Sequence, residues 1–79
     1  MFADNYIIDT VKKINAFVSS ATVLTTVVLV RQDNYAVNGQ SIMGLYSLDL
    51  SRPIIVEFEN QDECTNFRYI YESFLKNIS

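Results

Sequence analysis

The apolar residues of this chain change period as it proceeds, and that alternation constrains the fold more than any single motif. Val11, Ile14, Phe17, Val18 and Ala21 fall at spacings of three and four, which predicts one apolar stripe on a helix over about 10–20. Residues 23–30, VLTTVVLV, are dense in β-branched side chains and predict a strand. In IIVEFE, Ile54, Val56 and Phe58 point one way while Ile55, Glu57 and Glu59 point the other, the period of a strand covered on one face. Helical spacing then returns with Cys64, Phe67, Tyr71, Phe74 and Ile78.

The joints fit the same alternation. FADNYII over 2–8 reads as a first strand, after which Asp9 or Thr10 can cap a helix by accepting an amide left free at its first turn. Asp33-Asn34 is a turn sequence, with Tyr35 to Asn38 returning as the hairpin partner. Gly39-Gln40 breaks that strand. Ser41 is suited to cap a short helix carrying Ile42, Met43, Leu45, Tyr46 and Leu48. Residues 49–52 form a loop, Pro53 opens a fourth strand, and Asn60 or Asp62 begins the last helix. The predicted order is β-α-β-β-α-β-α, an α+β class with a four-stranded antiparallel sheet and its helices on one face.

At 79 residues the chain is expected to make one domain over 1–79, closed by packing alone, since a lone cysteine forms no internal disulfide. One Cys and no His leave no usual metal-ligand set, so no metal or cofactor is expected. A net charge of -3, with six Lys and Arg scattered along the chain, argues against a nucleic-acid surface. The longest apolar run, Val27 to Val30, is too short to cross a bilayer, and MFADNYIID lacks the basic start of a signal peptide. The expected setting is soluble and cytoplasmic, with no membrane partner.

The segment from Asn38 to Leu50 carries a resemblance. Asn38-Gly39-Gln40-Ser41-Ile42-Met43-Gly44, followed by Ser47-Leu48, is similar to the regulatory-serine helix of HPr, the phosphocarrier family of the bacterial sugar phosphotransferase system. Asp62-Glu63 at the start of the last helix extends the similarity, which runs from about residue 17 to 75. The resemblance implies an HPr-like open-faced β-sandwich and puts Ser41 at the family's regulatory serine. It also implies a docking surface at Ile42, Met43 and Tyr46, and partners among phosphotransferase-system or catabolite-control proteins.

The family carries Gly, His, a small residue, Arg and Pro between its first strand and first helix. This chain reads Ile7-Ile8-Asp9-Thr10-Val11-Lys12-Lys13. Thr10 takes the histidine position in a gapless alignment; alternatively the loop is shortened. Either way, a threonine hydroxyl cannot hold phosphate in the high-energy form that an imidazole provides near neutral pH. Asp9 is the nearest substitute, and capping accounts for it. With no base or oxyanion donor near Asp9 or Cys64, the expected function is non-enzymatic: a regulatory or docking module. The alternative is a structural or self-associating protein of the same fold, outside sugar phosphotransfer.

Two further features need a place. The predicted second strand is apolar on both faces, with Val27 and Leu29 on one and Leu24, Val28 and Val30 on the other. A one-sided sandwich leaves one set exposed beside Ile55, as isolated residues or as a patch for a homodimer through the open sheet face. Cys64 is expected to be a small buried hydrophobe on the last helix.

Overall fold

The structure, a computed structural model, describes residues 2–77. Its elements are β1 (Phe2–Tyr6), α1 (Val11–Val23), β2 (Leu29–Gln32), β3 (Tyr35–Asn38), α2 (Ile42–Tyr46), β4 (Ile54–Phe58) and α3 (Gln61–Asn77). The strands form one antiparallel sheet in the order β1-β4-β2-β3. Ile54, Val56 and Phe58 are buried while Ile55 is exposed, so the alternation read along β4 is the alternation seen. Tyr6 opposite Ile54, and Val30 opposite Val56, continue the covered face into the flanking strands.

Aromatic rings hold the two long helices to that face. The Phe67 ring of α3 lies 5.0 Å from Phe17 of α1, 5.5 Å from Tyr6 of β1 and 5.2 Å from Phe58 of β4. Tyr71 meets Tyr6 edge to face at 5.3 Å. Such pairs add to the burial of the rings themselves, and here they join every layer of the fold at one point. The helix α3 begins as predicted, with Asn60 Oδ1 accepting the Glu63 N–H at 2.9 Å.

Several boundaries differ from the sequence reading. The first strand ends at Tyr6 rather than at 8; Ile8 leaves the ladder yet is fully buried, while Ile7 points to solvent. The helix α1 runs on to Val23, past the expected end at 20, and β2 starts only at Leu29. Burial of Ala21 and Leu24 holds the extra helical turn against the β preference of its residues, and Val28 is buried outside any strand. The helix α2 stops at Tyr46, although Leu48 beyond it is still buried.

The buried stripe of α1 is also rotated. Val11, expected on it, is 63% exposed, and Ala16 and Ser20 take its place inside. Both are small, and the Ser20 hydroxyl is satisfied within its own helix by donating to the Ala16 carbonyl at 2.7 Å, so this side can lie against the interior. Cys64 is half-buried rather than fully enclosed, and burial pushes its thiol pKa up. Phe74 is partly buried against the core; Ile78 lies outside the described residues.

Gly39 sits where backbone meets core. Its N–H donates to the Val28 carbonyl at 2.8 Å, and a Cβ there would lie 3.0 Å from Val28 Cγ1 and 3.3 Å from Phe17 Cε1. Both neighbours are enclosed, so neither can move aside freely. Gly39→Ala should destabilise by about 1–3 kcal/mol, read as a fall in Tm of several degrees on thermal denaturation. An unchanged Tm would mean that this contact is looser than the geometry states.

Candidate docking site at the alpha 2 helix

Ser41 enters α2 in an extended conformation, φ -102° and ψ 109°, and its Oγ accepts the Gly44 N–H at 3.1 Å. This is the cap expected from the sequence, and it satisfies an amide the helix leaves free. The hydroxyl is exposed. The approach to Ser41 is fixed by Gln40, whose N–H donates to Asn38 Oδ1 at 2.8 Å and whose side-chain amide donates to the Ala21 carbonyl of α1 at 3.0 Å. The strand before Ser41 and the last turns of α1 are therefore tied together at this point.

Beyond the cap the helix divides its side chains. Leu45 and Leu48 are buried and anchor it to the core. Ile42, Met43 and Tyr46 remain exposed, Met43 to 76%. Gly44 permits the close seat of α2 on β3, since a Cβ there would lie 3.2 Å from Val37 Cβ. No Asp, Glu, Lys or Arg occurs from Asn34 to Leu48, so this exposed helix carries no formal charge of its own.

The exit of α2 is set by a residue that the sequence reading passed over. Gln32, at the end of β2, is buried. Its side chain accepts the Asp49 N–H and donates to the Asp49 carbonyl, both at 2.7 Å. A buried amide satisfied on both sides fixes the loop after α2 without needing a strand or helix there. Arg52 closes the outside of the same loop, 2.6 Å from Asp33 and 3.1 Å from Asp49; it holds the Asp33 carboxyl below the usual carboxylate range, while Asp49 is lowered first by hydrogen bonds from the Ser51 hydroxyl and N–H and then by Arg52. Asp33 occupies the left-handed region, φ 55°, which the short polar side chain of Asp tolerates in a tight turn. The sequence offers no strong signal for Gln32, which lies beyond the expected strand end at residue 30 and only continues the alternate spacing of Val28 and Val30.

Thr10 lies at the other functional position predicted, and its hydroxyl is used as a cap. Its Oγ1 accepts the Lys13 N–H at 3.1 Å, in an exposed position at the start of α1. Asp9 is not the cap. Its carboxylate pairs with Lys13 Nζ at 3.1 Å, and that hydrogen bond holds its pKa below the ordinary value. Thr10 thus marks the first turn of α1, whereas the residue before Ser41 is bound near the last. Among the described residues, no three of His, Cys, Asp and Glu gather as a metal set, and no helix is long and apolar enough to cross a membrane.

A four-stranded antiparallel sheet in this order, with three helices threaded β-α-β-β-α-β-α, is shared with solved structures. The chain superposes on HPr-C-His from Thermoanaerobacter tengcongensis with a TM-score of 0.74 and 24% identity, covering 96% of this chain and 97% of that one. The chain has the HPr fold. It also superposes on the phosphocarrier protein HPr from Bacillus anthracis str. Ames, with a TM-score of 0.68 and 18% identity over 90% of this chain and 93% of that one. No protein-family model and no curated protein sequence matches the chain. At these identities the likeness is one of architecture, and it covers nearly the whole chain, including α1 and α2.

Proposed function

We propose that this chain is a non-catalytic HPr-fold module, cytoplasmic and bacterial, read by a protein partner of the phosphotransferase or catabolite-control kind. Ser41 is the regulatory position, and Ile42, Met43 and Tyr46 are the docking residues. The observation that carries this reading is an exposed serine hydroxyl at the mouth of an uncharged helix whose neighbouring large apolar side chains face water. Exposed aromatic and methionine side chains suit adaptable protein contacts. Phosphorylation would add the first formal charge to a helix that has none of its own, the kind of change that alters partner choice.

Phosphocarrier chemistry is excluded from the proposal on the residues. The chain contains no histidine, the Thr10 hydroxyl serves as a helix cap, and Asp9 is engaged by Lys13. The half-buried Cys64 thiol, its pKa pushed up by burial, is a poor nucleophile near neutral pH. These features support a protein that is acted upon rather than an enzyme.

The test is incubation with a bacterial HPr kinase and ATP. Phosphate should enter the wild-type chain and be lost in Ser41→Ala, whose missing cap costs only about 1 kcal/mol and should leave the fold intact by circular dichroism. Incorporation that survives Ser41→Ala, or none in either protein, removes Ser41 as the regulatory position. Acid-labile phosphate after incubation with the first enzyme of the phosphotransferase system and phosphoenolpyruvate would overturn the non-carrier reading.

A further inference from the structure

The uncovered face of the sheet presents a pattern that is complementary to itself. In the antiparallel registers Leu29 lies opposite Glu57 and Arg31 opposite Ile55, so the centre of this face is a four-cornered cluster of side chains, about 4.8 Å by about 6.7 Å. Its two diagonals differ in kind. Arg31 and Glu57 occupy one, paired at 2.9 Å, and Leu29 and Ile55 occupy the other. Ile55 is 45% exposed, and Val27, just before β2, is 66% exposed beside a shallow depression of about 250 Å³ lined also by Leu29, Glu57 and Glu59.

The flanking strands contribute nothing that would hold a second molecule away. On this face β1 offers Ala3 and Asn5, and β3 offers Ala36 and Asn38, all short and uncharged. The four central side chains sum to zero charge in a chain whose net charge is -3, so this is a region where two copies can approach without the repulsion of the whole. Glu59 lies past the end of β4, at the rim.

We propose that the open face binds a second copy of this chain, the two sheets stacked across a two-fold axis that runs along the Leu29–Ile55 diagonal. The other simple axes fail on charge. An axis along the strands sets Glu57 over Leu29 of the second copy, and one across the strands sets it over Ile55, leaving a carboxylate against an aliphatic side chain. An axis along the charged diagonal sets Glu57 on Glu57. Only the apolar diagonal lays Arg31 over Glu57 of the second copy twice, with Leu29 on Leu29 and Ile55 on Ile55. The strands of the two sheets then cross steeply, at roughly 70° for strands about 4.8 Å apart and alternate residues about 6.7 Å apart along them.

Four strands about 4.8 Å apart and four or five residues long give a footprint of roughly 300 Å² per copy. The two copies together give roughly 600 Å², below the roughly 1,000 Å² total of a stable interface, so the dimer is weak, with a dissociation constant on the order of hundreds of micromolar. Sedimentation equilibrium of the full chain from about 20 µM to about 1 mM should show monomer giving way to dimer. Arg31→Glu and Glu57→Arg should each weaken association at least tenfold, and the double reversal should restore it, with all three variants folded by circular dichroism because both side chains lie on the open face of the sheet rather than in the core. A monomer throughout the range, or a dimer indifferent to both single reversals, overturns the proposal.

Discussion

Phe67→Ala should leave the domain close to half unfolded or worse at 25 °C in the absence of denaturant. The ring is fully buried and meets Phe17, Tyr6, Phe58 and Tyr71 within 6.1 Å, so its removal opens a cavity bounded by α1, β1, β4 and α3 at once. Truncating a buried phenylalanine costs about 3–5 kcal/mol. A chain this short, with a single cysteine and so no internal disulfide, draws only about 3–5 kcal/mol in total from one core. Urea denaturation followed by circular dichroism should therefore show the midpoint displaced towards zero denaturant, with an unchanged slope if unfolding stays two-state. Tyr69→Ala, two residues along the same helix at 77% exposure, should move the midpoint hardly at all. A Phe67→Ala midpoint near that of wild type would show that the aromatic cluster is not the centre of the fold.

That contrast is legible in the chain itself. The spacing of Phe67, Tyr71 and Phe74 fixes one face of α3, and a single side of a helix packed on a sheet has only one stripe to bury. The alternation of β4 and the Ser41 cap were legible for the same reason, since each is decided by residues a few positions apart. What the chain did not disclose depends on residues far away in sequence. The α1 stripe turns towards Ala16 and Ser20 because small side chains permit close packing, and periodicity counts apolar residues without weighing their size. Val23 to Val28 has strand-like composition, yet its ends are held by the buried Ala21 and Leu24 and by the Val28–Gly39 hydrogen bond, none of which a local propensity can see. Gln32 looked like an ordinary polar residue because its partner, the backbone of Asp49, has no side-chain signature.

The site divides along the same line. Ser41 and its cap are local, whereas Ile42, Met43 and Tyr46 were named through the resemblance rather than by any local pattern. Their exposure is a tertiary matter: Leu45 and Leu48 point inward and Ile42, Met43 and Tyr46 outward, with α2 seating Gly44 against Val37 of β3. Thr10 and Asp9 exchanged the roles between which the sequence could not choose. The hydroxyl caps α1, and the carboxylate, one residue earlier, reaches Lys13 instead.

The domain should also unfold in alkali, and Tyr6→Phe should make it more resistant. Burial pushes the Tyr71 phenol up to about 12, with the nearby Asp9 charge adding to the shift. Burial raises Tyr6 further still, although the Arg68 guanidinium 5.0 Å above its ring acts in the opposite direction. Both phenols are neutral in the folded chain and ionise near 10 once it unfolds, so the folded state holds protons that the unfolded state releases. Stability from this source is complete below about pH 10 and is lost as the pH rises through about 12. For Tyr71 alone the loss is about 2–3 kcal/mol, a large part of what so small a domain has. The Cys64 thiol, also raised by burial, acts with the same sign. Tyr6 differs from Tyr71 in one respect: its hydroxyl is buried and has no hydrogen-bond partner among the described residues. Replacing it with Phe removes both an unpaired polar group and one of the two ionisations while keeping the ring that packs on Phe17 and Phe67. Circular dichroism against pH, followed alongside tyrosinate absorbance, should show Tyr6→Phe unfolding at higher pH than wild type, and at neutral pH the variant should be at least as stable. A variant less stable at pH 7 would mean that the hydroxyl has a partner which keeps it in place.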